Sequence, residues 1–172
     1  MDLSGVFVVL TVLIALGGAP ARGATVMSVC ELSSDYPGFR DKAVTVRGVY
    51  YYGLRQDCTE TCKTGLWPSF IHLEGGSEDT WAGLARVERD VEADAKRSGK
   101  RFEIWVTVVG RLQTRAKRSS LGPCDRTSWG LIGYGHLGVF PAQINVESFR
   151  DIEVRVNPKS TYDYANMYHG PL

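Results

Sequence analysis

The alternation of apolar and polar residues, with a period of two, predicts β-strands in three parts of this chain. The segments are Lys42–Leu54, Phe102–Thr114 and Gln143–Val156, and the last has a kink near Ser148. A shorter apolar run, Pro68–Glu74, predicts a further strand. β-Branched and aromatic residues recur in these segments, as is typical of strands that bury one face.

Two of these strands carry a glycine after the same V-T-V run. VTVRGVY places Gly48 in the first strand, and VTVVGRL places Gly110 in the strand that follows the long helix. A glycine inside a strand indicates a bulge or a sharp bend. The repeat is too short to indicate duplication, so it predicts two strands that bend sharply in one curved sheet.

Helical periodicity predicts one short and one long helix. The short helix covers residues 24–34 and ends before the Pro37–Gly38 turn. The long helix, Thr80–Ser98, has Asp79 or Thr80 as its N-cap and Gly99 as its C-terminal stop. Its apolar stripe, at steps of three and four residues, consists of Trp81, Leu84, Val87, Val91 and Ala95.

The order of these elements resembles the OB-fold, a five-stranded β-barrel whose helix lies between the third and fourth strands. The resemblance is carried by VTVRGVY, by the long helix, by VTVVGRL and by INVESFRDIEV. It implies a mainly β, OB-fold-like domain over residues 24–157. The strand that no pattern reveals is expected between Tyr51 and His72.

The first two dozen residues predict a signal peptide over residues 1–23. Gly5–Gly18 is apolar apart from one threonine, and small residues at Ala19 and Ala21 suit a cleavage site. The alternative is a membrane anchor, but the 14-residue run is shorter than the roughly 20 residues that span a bilayer. We therefore expect a periplasmic or secreted protein with no membrane span in its mature chain.

A second resemblance covers most of the mature chain. SVCEL, a Tyr-Pro-Gly turn, VTVRG and the late stretch GYGHLGVFPAQINVESFRDIEV are similar to a group of small exported bacterial proteins of uncharacterised activity. The resemblance implies export and the OB-like fold. It implies no activity.

Four cysteines follow the predicted cleavage site, and in an exported chain an even number predicts disulfides. Four cysteines allow three pairings. A bridge from Cys58 to Cys62 would close a very small loop and constrain little. We prefer Cys30–Cys62 and Cys58–Cys124. Free thiols and a metal site are alternatives, although no second close pair accompanies Cys58 and Cys62.

The charge balance argues against a nucleic-acid partner. The chain has 20 basic and 19 acidic residues, a net charge of +1. One local basic stretch, RLQTRAKR, follows the strongest strand, and the glycine-rich segment GYGHLGVFP comes later. In an OB-fold these loops border the ligand face. The candidate ligand-binding residues are Tyr51, Arg111, Arg115, Trp129, Tyr134 and His136.

These features favour a non-catalytic binding module whose ligand is a glycan, a peptide or an envelope protein. The alternatives are a small hydrolase that uses His136 and a purely structural envelope subunit. Structural interpretations also exist for the loops: a solvated basic loop, and a tight turn that His136 caps. No motif predicts a metal or a cofactor. Residues 158–172 show no periodicity and are expected to form a disordered tail.

Overall fold

A mixed β-sheet dominates the structure, a computed structural model that describes residues 25–56, 58, 70–115, 133–135 and 140–166. Its strands are β1 (Met27–Ser28), β2 (Ala43–Tyr50), β3 (Leu54–Arg55), β4 (Phe70–Glu74), β5 (Phe102–Thr114) and β6 (Ala142–Val156). The described helices are α1 (Val29–Ser34) and α2 (Glu78–Ser98), with 3₁₀ turns at Tyr36–Phe39 and Tyr164–Asn166. The protein is mainly β, as the alternation predicts.

The strand pairings run round a ring. β2 pairs antiparallel with β3, β3 antiparallel with β4, β4 parallel with β6, and β6 antiparallel with β5. β5 then pairs antiparallel with β2, along the whole length of β2. Because β5 occupies one edge of β2, the parallel strand β1 and the short strand β3 share its other edge.

The main core lies on the inner face of this sheet. Alternate residues of the long strands point inward, and the most deeply buried of them are Val46, Val106, Val108, Leu112, Ala142 and Ile144. Val29 and Leu32 of α1 and Tyr36 of the following turn join the same cluster. The apolar faces that the sequence predicts for the long strands are therefore the faces that the sheet buries.

A second core lies where β2 ends and β5 begins, since Tyr50 pairs with Ile104 there. α2 contributes Leu84, Val91 and Ala95 to it, so the predicted apolar stripe is the buried one. Gly99 closes the helix with a φ of 65°, as expected. No helix in the described ranges is both long and apolar enough to cross a membrane.

The N-cap of α2 differs from the prediction. Ser77 is the cap, and its hydroxyl accepts a hydrogen bond from the Thr80 N–H at 3.2 Å. The hydroxyl of Thr80 in turn accepts from the Ser77 N–H, which completes a capping box. The prediction of Asp79 or Thr80 as the cap was wrong because the helix begins at Glu78, so both residues lie within its first turn.

The glycines of the two strands that carry V-T-V-x-Gly permit close backbone approaches. A Cβ on Gly110 would lie 2.2 Å from the carbonyl oxygen of Asn145, and the β5–β6 register shifts at this point. A Cβ on Gly48 would lie 2.8 Å from the carbonyl oxygen of Arg55. The register shift skips Glu147, next to Ser148, where the sequence predicts a kink.

Short elements account for most differences from the sequence prediction. The first predicted strand divides into β2 and β3, separated by a turn at Tyr51–Gly53. β3 supplies the strand expected between Tyr51 and His72. The short helix starts only at Val29, because Met27 and Ser28 pair with β2. The predicted signal peptide, residues 1–23, lies outside the described residues.

The segment from residue 158 to 166 packs against the sheet and α2, so the prediction of a disordered tail was wrong for it. Tyr164 is 2% exposed. Its hydroxyl accepts a hydrogen bond from the Ile104 N–H at 3.3 Å and donates one to the Tyr50 carbonyl. One buried tyrosine, which periodicity does not reveal, therefore anchors this segment. Residues 167–172 lie outside the described residues.

A disulfide joins Cys30 in α1 to Cys58, which follows β3. This bond excludes both preferred pairings, Cys30–Cys62 and Cys58–Cys124, so that prediction was wrong. The physical reason is that β1 and β3 share one edge of β2, which brings α1 beside the end of β3. Gln56 reinforces the contact by accepting a hydrogen bond from the Val29 N–H at 3.1 Å. Cys62 and Cys124 lie outside the described residues.

Replacing Gly110 with alanine should destabilise the fold by at least about 2 kcal/mol, because the new Cβ would collide with backbone. The matched control is Gly83→Ala in α2, where a Cβ meets nothing within 4 Å. That change should stabilise by about 0.5–1 kcal/mol through helix propensity. Urea unfolding measures both; equal effects of the two substitutions would contradict the close approach.

Loss of the Cys30–Cys58 bond should lower the free energy of unfolding by about 3 kcal/mol, since the bond closes a loop with a sequence separation of 28. Urea unfolding of the double variant Cys30→Ala/Cys58→Ala measures this loss. Non-reducing peptide mapping of the wild type checks the pairing: Cys30 and Cys58 should appear in one cross-linked peptide. A peptide joining Cys30 to Cys62 would contradict it.

Candidate ligand-binding face

The outward side of β3 and β4 carries a cation among aromatic rings. Along these strands Leu54, Ile71 and Leu73 point inward and are buried. Arg55 and Phe70, which pair across the two strands, therefore point outward with His72. All three outward residues are partly buried. This face is thus the reverse side of well-packed core positions, which hold it in place.

Arg55 lies within an aromatic cluster. Its guanidinium carbon is 3.3 Å from the centroid of the Phe70 ring and 4.9 Å from that of Tyr51. Its Nε is buried and has no hydrogen-bond partner among the described residues. Burial lowers the pKa of Arg55 to about 10, against the raising effect of nearby tyrosines. The side chain remains a cation at neutral pH, with an unsatisfied donor.

A tyrosine cluster borders Arg55 at the turn between β2 and β3. The ring of Tyr51 lies 4.9 Å from that of Tyr52 and 5.3 Å from those of Tyr162 and Tyr164. The hydroxyl of Tyr51 donates to the Asp163 carbonyl at 3.4 Å. Tyr51 is thereby held on several sides, and one of its neighbours is the buried anchor Tyr164.

Tyr52 has an unusual backbone conformation for an aromatic residue. Its φ is 55°, in the left-handed region, and its side chain is 41% exposed. Such a conformation costs on the order of 1 kcal/mol or more for a residue with a Cβ. Strained residues often lie at functional sites, which makes this turn a candidate part of the face; Asp41 and Asp151 also have positive φ and lie elsewhere.

The aromatic side chains continue from Phe70 towards the end of β5. The Phe140 ring lies 5.6 Å from Phe70 and 5.2 Å from His72. Tyr134 exchanges two backbone hydrogen bonds with Phe140, and Arg115 lies 5.2 Å from the Tyr134 ring. Tyr51, Arg55, Phe70, Phe140, Tyr134 and Arg115 thus form a connected series of contacts, the arginine–aromatic row, in which Phe140 is buried and the other members are partly buried or exposed.

Gly135 allows the row to approach β4 closely. Its φ is 67°, and a Cβ there would lie 2.7 Å from Phe140 and 2.9 Å from Nδ1 of His72. The close contacts and the positive φ explain why the GYGHLGVFP segment has a glycine at position 135. Beside it, the Gln143 side-chain amide donates to Oδ1 of Asn145 at 3.0 Å and to Oε1 of Gln113 at 3.4 Å. These amides provide a polar border along β6 and β5.

The structure brings three of the six sequence-predicted site residues into the row: Tyr51, Arg115 and Tyr134. Arg111 lies elsewhere: it is paired across the sheet with Ala43, and its guanidinium donates to the Asp41 carbonyl. Trp129 and His136 lie outside the described residues, so their roles stay predictions.

Sequence reasoning missed Arg55, Phe70 and Phe140. β3 has two residues, too few for a period to be detected. Phe70 and His72 belong to a predicted strand, but which side of that strand faces solvent depends on how the strands pair around the sheet. An arginine directly before the polar, cysteine-containing loop was the available signal, and it is a weak one.

The described residues contain no group of three or more His, Cys, Asp or Glu that could hold a metal ion. No protein-family model matches the chain, and neither a curated protein nor a solved structure does. Function therefore has to be inferred from the chain's own side chains.

His72 predicts a pH dependence of stability. Burial lowers its pKa from the ordinary 6.5, and the opposing effect of Glu74 is smaller. Because the folded protein binds this proton more weakly than the unfolded chain, stability should fall as the pH drops from 6.5 to the lowered folded pKa. The His72→Gln variant should lack the part of this pH dependence that comes from protonation of His72.

Urea unfolding of wild type and His72→Gln at about pH 7.5 and about pH 5 tests this expectation. Both proteins share every other titrating group, so the difference between their pH-dependent losses reports on His72. A variant that loses as much stability as the wild type would contradict the assignment.

Proposed function

We propose that the chain is an exported, non-catalytic binding module with an OB-like fold, whose arginine–aromatic row binds an extended acidic glycan. The observation that carries the proposal is Arg55, a half-buried cation held against the rings of Phe70 and Tyr51. A guanidinium is planar and forms paired hydrogen bonds with a carboxylate, so an anionic ligand suits this position.

The strand order supports the OB-like assignment. Taken in chain order without β1, the five ring strands pair first with second, second with third, third with fifth, fifth with fourth, and fourth with first. α2 lies between the third and fourth of them, as in an OB-fold. Ligands of that fold bind across its second and third strands and the loops beside them. Here those are β3, β4, the Tyr51–Gly53 turn and the chain between β5 and β6.

Export is supported by two independent features. The apolar N-terminal run followed by small residues is typical of a signal peptide. The Cys30–Cys58 disulfide is typical of proteins that fold in oxidising compartments. A binding module with both features would meet its ligand in the periplasm or outside the cell.

An acidic glycan suits the row better than the other ligand classes. Sugar rings pack their C–H faces on aromatic side chains, and carboxylates form paired hydrogen bonds with a guanidinium. The row offers both groups: Arg55 lies against Phe70 and Tyr51, and Arg115 lies beside Tyr134 at the other end of the series. Two arginines supply few phosphate contacts for a nucleic acid, and the net charge of +1 adds no general attraction.

Isothermal titration with a tetramer of hexuronic acid tests the proposal, with a neutral hexose tetramer as the ligand control. We expect the acidic tetramer to bind more tightly. Arg55→Lys should weaken its binding by at least about tenfold, because lysine keeps the charge but loses the planar, paired contacts. Arg89→Lys on the exposed face of α2 is the matched protein control and should bind as the wild type does.

Three outcomes would overturn the proposal. Equal affinities of Arg55→Lys and the wild type would exclude the row as the site. Preference for an acidic peptide or a single-stranded oligonucleotide of matched charge would change the ligand class. Cleavage of the tetramer during the titration would favour the hydrolase alternative.

A further inference from the structure

A pocket of about 380 Å³ is lined in part by Tyr162, whose ring lies 5.3 Å from that of Tyr51. Its floor is the outward face of β2 and β5, where Val49 pairs with Trp105. The chain from residue 157 to 162 forms one wall. This volume is within the range of roughly 300–1,000 Å³ typical of small-molecule sites. None of the sequence-predicted site residues lines it.

Glu103 is the one carboxylate among the described residues that line this pocket, and it is held at both oxygens. Oε2 accepts a hydrogen bond from Nε1 of Trp105 at 3.0 Å. Oε1 accepts one from the side-chain amide of Asn157 at 2.8 Å. An ionised carboxylate accepts about four hydrogen bonds. Each oxygen of Glu103 can therefore accept a further hydrogen bond from a ligand while its position stays constrained.

The support for Glu103 extends to its neighbours. Arg155 lies 4.7 Å from the ring of Trp105. Arg155 forms a two-pronged ion pair with Glu153, at 2.8 and 2.7 Å, and Arg47 joins the same carboxylate at 2.8 Å. These contacts hold the indole that donates to Glu103. A site whose polar groups are already oriented loses less entropy when its ligand binds.

The pocket's charges and hydrogen-bonding groups indicate the class of ligand. Glu103 and Lys159 both line it, and their opposite charges compensate. Ser160 and Thr161 add hydroxyl groups, while Val49 and Tyr162 add apolar surface. Neutral compounds that present several hydroxyls on an apolar ring match this mixture, and adjacent hydroxyls can donate to the two oxygens of one carboxylate.

We propose that this pocket binds a neutral sugar ring, with two neighbouring hydroxyls donating to the two oxygens of Glu103. The inference goes beyond the proposed function and does not rest on it, because it uses a different set of residues. The sugar could be a free monosaccharide or the terminal unit of a glycan, and both present the same hydroxyl pair.

The test uses the indole N–H signal of Trp105 in ¹H–¹⁵N NMR spectra of the whole mature protein. Trp105→Phe assigns that signal by its loss. The probes are the methyl glycosides of glucose, galactose and mannose, each titrated to about 100 mM, since a site for one sugar ring binds weakly. We expect at least one of them to shift the signal in a saturable way.

Two controls separate binding at Glu103 from nonspecific effects. On the protein side, Glu103→Gln should weaken binding at least about tenfold, because the amide nitrogen cannot accept a hydroxyl proton. Glu147→Gln, on the exposed face of β6, should change nothing. On the ligand side, tetrahydropyran-2-methanol has the ring but no neighbouring ring hydroxyls, so it should not shift the signal. This control uses wild-type protein and is therefore independent of how well any variant folds.

Arg55→Lys should leave this binding unchanged, which separates failure of the pocket from failure of the arginine–aromatic row. A titration with an oligosaccharide ending in the best monosaccharide distinguishes the two sources of sugar. The proposal is overturned if no glycoside shifts the signal in a saturable way, if methylammonium shifts it and no glycoside does, or if Glu103→Gln binds as the wild type does.

Discussion

The close approach of β5 and β6 at Gly110 is the constraint on which the ring of strands depends. β5 is paired on both edges, with β2 on one side and β6 on the other. A strand in that position determines the curvature of its neighbours. At Gly110 the carbonyl of Asn145 occupies the space that a side chain would need, and the register shifts there. A residue with a Cβ would force the two backbones apart.

The same ring explains where the polar and aromatic side chains lie. Because strand residues alternate, closing the sheet around Leu54 and Ile71 turns Arg55 and Phe70 outward as a pair. The Cys30–Cys58 disulfide and the anchored Tyr164 hold the two ends of this region, one beside β3 and the other beneath Tyr51. The arginine–aromatic row is thus supported by core packing, a covalent bond and a buried tyrosine.

Much of the fold could be predicted from the sequence, and the candidate site could be predicted only in part. Long segments were predictable because many residues repeat one pattern: β5 has the expected bounds, and α2 buries the expected stripe. Tyr51, Arg115 and Tyr134, which the sequence suggests as candidate ligand residues, lie in the arginine–aromatic row. Arg55 was not predictable, because a strand of two residues contains no period and its aromatic partners come from other parts of the chain.

Local sequence patterns predict the class of elements, their order and which faces of the long strands and of α2 are apolar, because these properties depend on neighbouring residues. The pairing of Cys30 with Cys58, the burial of Tyr164 and the contacts of Arg55 and Glu103 follow only from the folded arrangement. Each of these depends on which distant segments share a strand edge. Which segments pair is determined by long-range hydrogen bonds and packing across the whole sheet, and a local sequence pattern contains no information about them.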